Sequence, residues 1–346
     1  MKATEFHDTC TCSISDNWTY KGMRVIWLEN SLIRIGIFAD RGSDIFEFTY
    51  KPLNMNMLLR IPGRLRNLTT DFSQMRSTTN QFEDHYYGGW QECLPNSPSF
   101  TYRGASLGQH GEISLIPWKY SILEIGPDVV SVKLWGSPVR LPLRIEKTIS
   151  LSAGKSEIEI SEKLVNLGNT KLDVMWGHHV AFGLPFLKEG VQIQTNARQI
   201  IAEPLIPNPR RFKPGITTKW PNAVNVNGRE DRADHVPDFD APAYSDLAYL
   251  SGFDGRGKYS IRNLIRNISF SLDWDANIFK YVWYWTERYG TMDSPWWGEC
   301  YAVALEPWTS KWTDQPEEAI EKGEWLQIDA KQSIGTSLVA SISEIE

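Results

Sequence analysis

The chain has 346 residues, enough for one large β domain or two ordinary ones with a sizeable core in either case. Its formal net charge of -6 and pI near 5.6 argue against a nucleic-acid or anionic-membrane partner, since neither negative surface would attract it. No run of about 18 apolar residues is present, so no membrane span is expected. Aromatic residues make up 12% and include fifteen Trp. Such an excess serves either core packing or stacking on sugar rings.

The N-terminal MKATEFHDTC lacks a basic region followed by an apolar one, so no secretion signal is expected and a cytoplasmic location follows. Cys10 and Cys12 are too close for an ordinary structural bridge. With Cys93 and Cys300 they form no CxxC pair or Cys/His cluster of zinc-like spacing. Reduced thiols and no metal are the expectation.

In chain order, the pattern is period two almost throughout. Met23–Leu28, Leu32–Phe38, Ile45–Tyr50, Ile113–Leu123, Val129–Leu134, Leu143–Leu151 and Ile158–Val165 read as strands. They are short, rich in β-branched residues and separated by Gly, Asn, Asp or Pro. Leu172–Phe182 follows, then Val191–Thr195, Tyr259–Arg262, Ile268–Trp274, Ile278–Trp285, Glu299–Glu306, Trp325–Ala330 and Thr336–Ile342. Only Glu317–Lys322 looks helical. Many strands without helical crossovers predict an all-β fold, a large antiparallel β-sandwich. Two long stretches, Pro52–Gln109 and the proline-rich Pro204–Tyr244, break the rhythm. Segments of this length are usually functional lids or binding loops, or are disordered. Neither resembles a linker, and no internal repeat is present, so residues 1–346 are read as one domain.

Candidate chemistry lies at two strands. In Leu172–Phe182, alternation puts Leu172, Val174, Trp176, His178, Val180 and Phe182 on one apolar face. Asp173, Met175, Gly177, His179 and Ala181 take the other, so His178 reads as a core residue. His179, between Gly177 and Ala181, would have open space above it for a ligand. In Glu299–Glu306, the small residues Cys300, Ala302 and Ala304 share a face with Glu306, which ends the strand before Pro307. An acid and a base at the rim of such small-residue faces suit a substrate lying across the sheet; equally, the small residues could accommodate a neighbouring element. His110, in a turn before a strand, is a third candidate, with a solvated surface histidine as the alternative.

Taken in order, Gly88-Gly89-Trp90-Gln91-Glu92-Cys93-Leu94-Pro95-Asn96, His110-Gly111-Glu112 leading to Pro117-Trp118, His179-Val180-Ala181-Phe182 and Leu305-Glu306-Pro307 resemble the aldose 1-epimerase family, the galactose mutarotase-like proteins, in a divergent branch. The resemblance covers roughly Arg24 to the C-terminus and implies a β-supersandwich with an open carbohydrate-binding face. It implies that His179 is the general acid toward the ring oxygen and Glu306 the general base on the anomeric hydroxyl. His110 would hold the substrate, and Asp246, in Asp-x-x-Tyr, would bind a hydroxyl. Arg60 or Arg64 and Trp90 are further candidates for substrate contact. The second histidine is followed by Val-Ala where Pro-Tyr is typical, which puts the sugar in question more than the fold.

The implied activity is anomer interconversion of a monosaccharide by ring opening, with a small-molecule sugar as the partner and no cofactor; no phosphate loop or dinucleotide fingerprint is present. In that scheme Glu306 is ionised with an ordinary pKa near ~4, and His179, near ~6.5, must be held protonated by a nearby carboxylate. Two alternatives remain open: a carbohydrate-binding protein without catalysis, and another sugar isomerase or lyase reaction on the same scaffold.

Overall fold

The computed structural model describes residues 11–71, 80–206 and 208–345. Cys10 and the extreme N-terminus lie outside the described residues. Two antiparallel sheets dominate. The larger has twelve strands, and its centre runs in the order Ile45–Tyr50, Trp90–Cys93, Gly177–Phe182, Tyr301–Trp308, Tyr281–Arg288, Tyr244–Ser251. The second, of nine strands, is built around Ile268–Asp275, Ser333–Glu344, Glu157–Asn166 and Leu143–Ser152. No helix among the described residues is long and apolar enough to cross a membrane.

The two sheets meet through the apolar faces that alternation assigns inward. Phe182 of the larger sheet packs against Phe270 and Tyr259 of the smaller, and Phe48 meets the same Phe270 edge-on. Leu143–Ser152 and Glu157–Asn166 bury every second residue and leave the others toward solvent, the signature of a sheet covered on one face. Gly177–Phe182 and Tyr301–Trp308 are instead buried at every position. The middle of the larger sheet is therefore covered on its outer face as well.

The cover comes from the two irregular stretches. The described parts of the first stretch, residues 52–71 and 80–109, cross the outer face and contribute the short helix Gln81–His85; the backbone at Leu59 and Ile61 bonds to Ala181 and Tyr87. Gly88, in the Gly-Gly-Trp motif, has φ +100°, and a Cβ there would sit 2.2 Å from the carbonyl oxygen of Leu59. Only glycine permits that approach. Pro204–Tyr244 carries short strands that extend both sheets, Thr217–Lys219 at one edge and His235–Val236 at the other.

Some boundaries differ from expectation. Leu172–Phe182 is two strands, Leu172–Val174 and Gly177–Phe182, because Leu172–Val174 leaves the large sheet to pair with Leu326–Ile328. The strand expected from Ile113 starts only at Lys119, since Ile113–Trp118 forms the turn that seats Trp118 under its own chain, its indole N–H bonded to the Ile113 carbonyl. Tyr301–Trp308 runs through Pro307, with Val282 opposite it, instead of stopping before it. The described cysteines, Cys12, Cys93 and Cys300, are buried free thiols.

A charged cluster is sealed between the sheets beneath the centre. Glu92 lies 3.2 Å from Lys147, its other oxygen accepts the indole N–H of Trp176, and His178 contacts Glu162 at 3.1 Å. Burial alone would raise Glu92, but His178 and Lys147 outweigh it and hold the carboxyl below its usual range. Removing one partner of a buried pair strands the other charge. Glu92→Ala is therefore expected to lower unfolding free energy by about 3–5 kcal/mol in denaturant titration. Asp254→Ala, which breaks the exposed Arg198–Asp254 pair, should change it by less than about 1 kcal/mol.

Candidate active site

The pairing of two central strands builds the site. Gly177 is opposite Trp308 and Ala181 opposite Ala304, a register that brings His179, midway between, across from Glu306. Their side chains project from the outer face, with Nε2 of His179 3.5 Å from Oε1 of Glu306. The other carboxylate oxygen accepts the indole N–H of Trp308 at 2.9 Å. The space above Gly177 is not open: the Trp308 ring fills it, 2.1 Å from where a Cβ would stand. Trp308 in turn stacks on Trp283 with ring centres 4.4 Å apart. The small residues Ala181, Cys300, Ala302 and Ala304 likewise pack into one buried cluster with Leu59 and Phe82. Of the two readings of the small-residue faces, accommodation of a covering element holds for most of their length, and the gap is confined to the end where His179 and Glu306 stand.

That gap is a cavity of about 280 Å³ with His179, Glu306 and His110 in its lining. Phe82, Glu83 and Tyr86 come from the helix Gln81–His85 and the residue after it; Trp283 and Trp285 come from the strand Tyr281–Arg288. Trp296 and Trp312 close the sides, and Glu203, Leu205 and Ile206 approach from the start of the second irregular stretch. The hydroxyl of Tyr86 lies 3.4 Å from Nδ1 of His179. His110 adopts φ +56°, contacts the Ser97 hydroxyl through Nδ1 at 3.1 Å, and sits edge-on to Phe82. Its ring centre is 5.7 Å from that of His179. A concave, aromatic, largely buried pocket with a few convergent titratable groups is the usual form of a small-molecule site.

Burial dominates the electrostatics here. It pushes Glu306 up to about 8 against the donation from Trp308, and it pulls His110 down to about 3. His179 is driven well below its ordinary value by burial and then by the neighbouring His110. The expected order, an ionised Glu306 raising a protonated His179, is reversed. At neutral pH Glu306 carries the proton and His179 is neutral. The desolvation of the two groups outweighs their attraction across 3.5 Å.

The remaining expected contacts lie elsewhere. Trp90 is on the inter-sheet face, its N–H given to Nδ1 of His178 at 3.2 Å, and it lines no part of the cavity. Alternation separates it from His179 as it separates His178. Arg60 is on the far side of the covering segment, paired with Glu47 over the Phe46 ring. Arg64 stacks behind Trp296 and gives its N–H groups to the carbonyls of Tyr86, Glu83 and Pro295, so it props the wall without entering the cavity. Asp246 faces the opposite side from its neighbour Leu247, where it pairs with Arg210 at 3.2 Å and accepts the backbone N–H groups of Arg211 and Phe212. It anchors the irregular stretch and is not placed to bind a hydroxyl. Tyr86, Trp285, Trp296, Glu83, Gln109 and Glu203 were not read as site residues. The aromatic cluster at 82–87 and the tryptophan excess were the only signals for them.

One family description matches across residues 20–342, under the heading domain of unknown function (DUF4432). The chain belongs to the DUF4432 family. No curated protein matches it. Among solved structures, this DUF4432 chain is similar to a candidate aldose 1-epimerase from Klebsiella pneumoniae, with a TM-score of 0.71 at 13% identity over 96% of this chain and 83% of that one. It is also similar to a galactose mutarotase-like protein from Clostridium acetobutylicum, with a TM-score of 0.67 at 15% identity over 97% and 99% of the two chains. A galactose mutarotase related enzyme from Lactobacillus acidophilus superimposes with a TM-score of 0.60 at 15% identity, over 93% and 99%. The DUF4432 chain thus has the galactose mutarotase-like fold.

Among the described residues, the Trp308 indole gives the hydrogen bond that holds Glu306 down. Trp308→Phe should therefore raise the Glu306 pKa further above about 8, read from the carboxyl carbon shift in a ¹³C NMR pH titration. An unchanged or lower value would show that the indole does not tune the group.

Proposed function

We propose that this protein is an aldose 1-epimerase-type isomerase that interconverts the anomers of a monosaccharide, with His179 and Glu306 as its proton-transfer pair. The observation that supports this most is their cross-strand placement, 3.5 Å apart in the lining of an aromatic cavity. Mutarotation needs one proton taken from the anomeric hydroxyl and one given to the ring oxygen, a task for two groups sharing a single proton.

In the ring-opening step Glu306, as carboxylate, accepts the proton of the anomeric hydroxyl. The C1–O bond to the exocyclic oxygen becomes a carbonyl, the bond from C1 to the ring oxygen breaks, and that oxygen takes a proton from the His179 imidazolium. The pair ends as neutral His179 and protonated Glu306. Rotation about C1–C2 and the same steps in reverse close the ring to the other anomer and restore the starting pair. The protonation state that burial favours is thus the one that accompanies the open-chain aldehyde. Binding the cyclic sugar draws the proton from Glu306 to His179, because the ligand's hydroxyl groups supply hydrogen bonds to the carboxylate. His110, held by Ser97, presents its free ring edge beside His179, suited to a hydrogen bond with the sugar. Tryptophan faces suit the apolar C–H surface of the ring. A non-catalytic binder would need no facing acid and base, which favours the enzyme reading.

Anomer exchange followed by NMR on a panel of sugars tests this. Wild-type protein should accelerate exchange on at least one sugar, and Glu306→Gln and His179→Asn should each reduce the rate by roughly 10²–10⁴-fold. Binding without acceleration on any sugar would support the binding-protein reading, and exchange that survives both substitutions would overturn the residue assignment. The pH dependence has a definite sign. With the uncatalysed rate subtracted, activity should fall as pH rises through about 8, where the pair loses its shared proton. It should hold on the acid side until His179 takes a second proton, well below pH 6.5. A rate that climbs through pH 8 would contradict the shared-proton mechanism.

A further inference from the structure

Two of the ordered sequence motifs are stitched together beside the cavity. Leu94-Pro95-Asn96-Ser97 lies against the turn Gly108-Gln109-His110-Gly111, with Leu94 bridged to Gly111 in parallel. The backbone N–H of His110 is given to the Ser97 carbonyl at 2.8 Å, and the Asn96 amide donates to the carbonyls of Pro98 and Gly108, both at 2.7 Å. Gly111 has φ +69°, and a Cβ there would stand 2.1 Å from the Leu94 carbonyl oxygen, so glycine is what lets the two segments approach this closely. The turn leaves His110 at φ +56°, its ring held among Phe82, Trp308 and Trp283 at centre distances of 4.6, 5.3 and 6.2 Å. One ring edge is thereby committed to the protein, with Nδ1 3.1 Å from the Ser97 hydroxyl oxygen, while the residue lines the cavity with the rest of its surface.

The direction of the bond between Ser97 and His110 follows from what else each group can reach. Ser97 is fully buried and does not line the cavity, and among the described residues Nδ1 of His110 is the hydrogen-bond partner of its hydroxyl. A buried hydroxyl proton without an acceptor is costly, so Ser97 donates and Nδ1 accepts. Burial pulls the His110 pKa down to about 3, so the ring is neutral and carries a single proton. That proton is on Nε2. The hydroxyl beside His179 differs in kind. Tyr86 itself lines the cavity, so its O–H can turn to a ligand while its oxygen accepts, and Nδ1 of His179, 3.4 Å away, is not confined to one role.

Resting on the mutarotase reading, we propose that Ser97 is a positioning residue that fixes His110 as the Nε2–H tautomer, a standing hydrogen-bond donor to the ring oxygen of the sugar. The ring oxygen is the atom that His179 protonates in that reading, and the two histidine rings are 5.7 Å apart, near enough to share it. A ring oxygen has lone pairs and no proton, so it is matched by an N–H and repelled by the bare nitrogen of the opposite tautomer. As the bond from C1 to this oxygen breaks, negative charge gathers on it before the proton from His179 arrives. A neutral donor already in place stabilises that charge and keeps its own proton. The two histidines thereby divide the work: His110 orients and polarises, and His179 carries the proton.

The test reads the tautomer directly, from the two ring nitrogen shifts of His110 in the full chain labelled with ¹⁵N-histidine, assigned with His110→Asn. At pH 7 the wild type should show a bare Nδ1 and a protonated Nε2. In Ser97→Ala the two shifts should move toward each other as the tautomers mix, and Ser97→Thr, which keeps the hydroxyl, should restore the wild-type pattern. A protonated Nδ1 or an imidazolium in the wild type would overturn the inference, a result that needs no variant to fold. So would wild-type shifts in Ser97→Ala. Anomer exchange on the same samples gives the functional half: with a sugar that wild type turns over, Ser97→Ala should lose roughly tenfold in kcat with KM little changed, the mark of an interaction that strengthens in the transition state. A kcat that stays at the wild-type value while the tautomers mix would overturn the positioning role. Accelerated exchange with His110 in the opposite tautomer overturns the Ser97 assignment and leaves the mutarotase reading. The Nε2–H tautomer without accelerated exchange on any sugar supports the tautomer assignment and overturns the mutarotase reading.

Discussion

The site depends on one strand register. Gly177 is opposite Trp308, and because it has no side chain the indole lies flat over it, reaching Glu306 with its N–H and Trp283 with its face. The same register puts His179 across from Glu306. A slip of one residue would turn His179 into the core and bring His178 out, so the inter-sheet packing of Trp176, Val180 and Phe182 also enforces the geometry of the pair. Stability and chemistry are coupled through a single antiparallel pairing.

Two adjacent histidines then meet opposite fates at equal burial. For His178, burial would lower the pKa, but Glu162 and Glu92 overcome it and the group is raised. For His179, burial is joined by a neighbouring histidine and opposed by no ionised carboxylate, and the group is lowered. The difference lies in the local balance of charge. Between the sheets, Lys147 and His178 offset Glu92 and Glu162. On the outer face Glu306 has no such offset, and burial pushes its carboxyl up to about 8.

Much of this could be read in the sequence because strands alternate. Period two separated His178 from His179, put Glu306 with Ala302 and Ala304, and gave the all-β sandwich; the ordered motifs independently selected the same histidine and glutamate. What was not legible came from the irregular stretches. Nothing in the local pattern shows that the helix Gln81–His85 folds over the sheet, so Phe82, Glu83 and Tyr86 could not be brought to His179 by sequence distance. Arg60, Arg64 and Asp246 were plausible as ligand groups because charged residues near motifs often are, but each finds a protein partner that only the tertiary fold supplies. Trp90 belongs to an ordered motif, but its strand position, opposite Val180, sends its ring inward. The pKa order of the pair is not legible either, since it depends on how deeply the fold buries both groups.

The location of the shared proton decides most directly between this arrangement and a preformed acid and base. Protein labelled with ¹⁵N-histidine, with His179→Asn used to assign the resonance, allows the ring nitrogens of His179 to be observed at pH 7 without ligand. A neutral imidazole that stays neutral down to well below pH 6.5 is the expected result. An imidazolium at pH 7, which would require an ionised Glu306 beside it, would contradict the buried shared-proton pair.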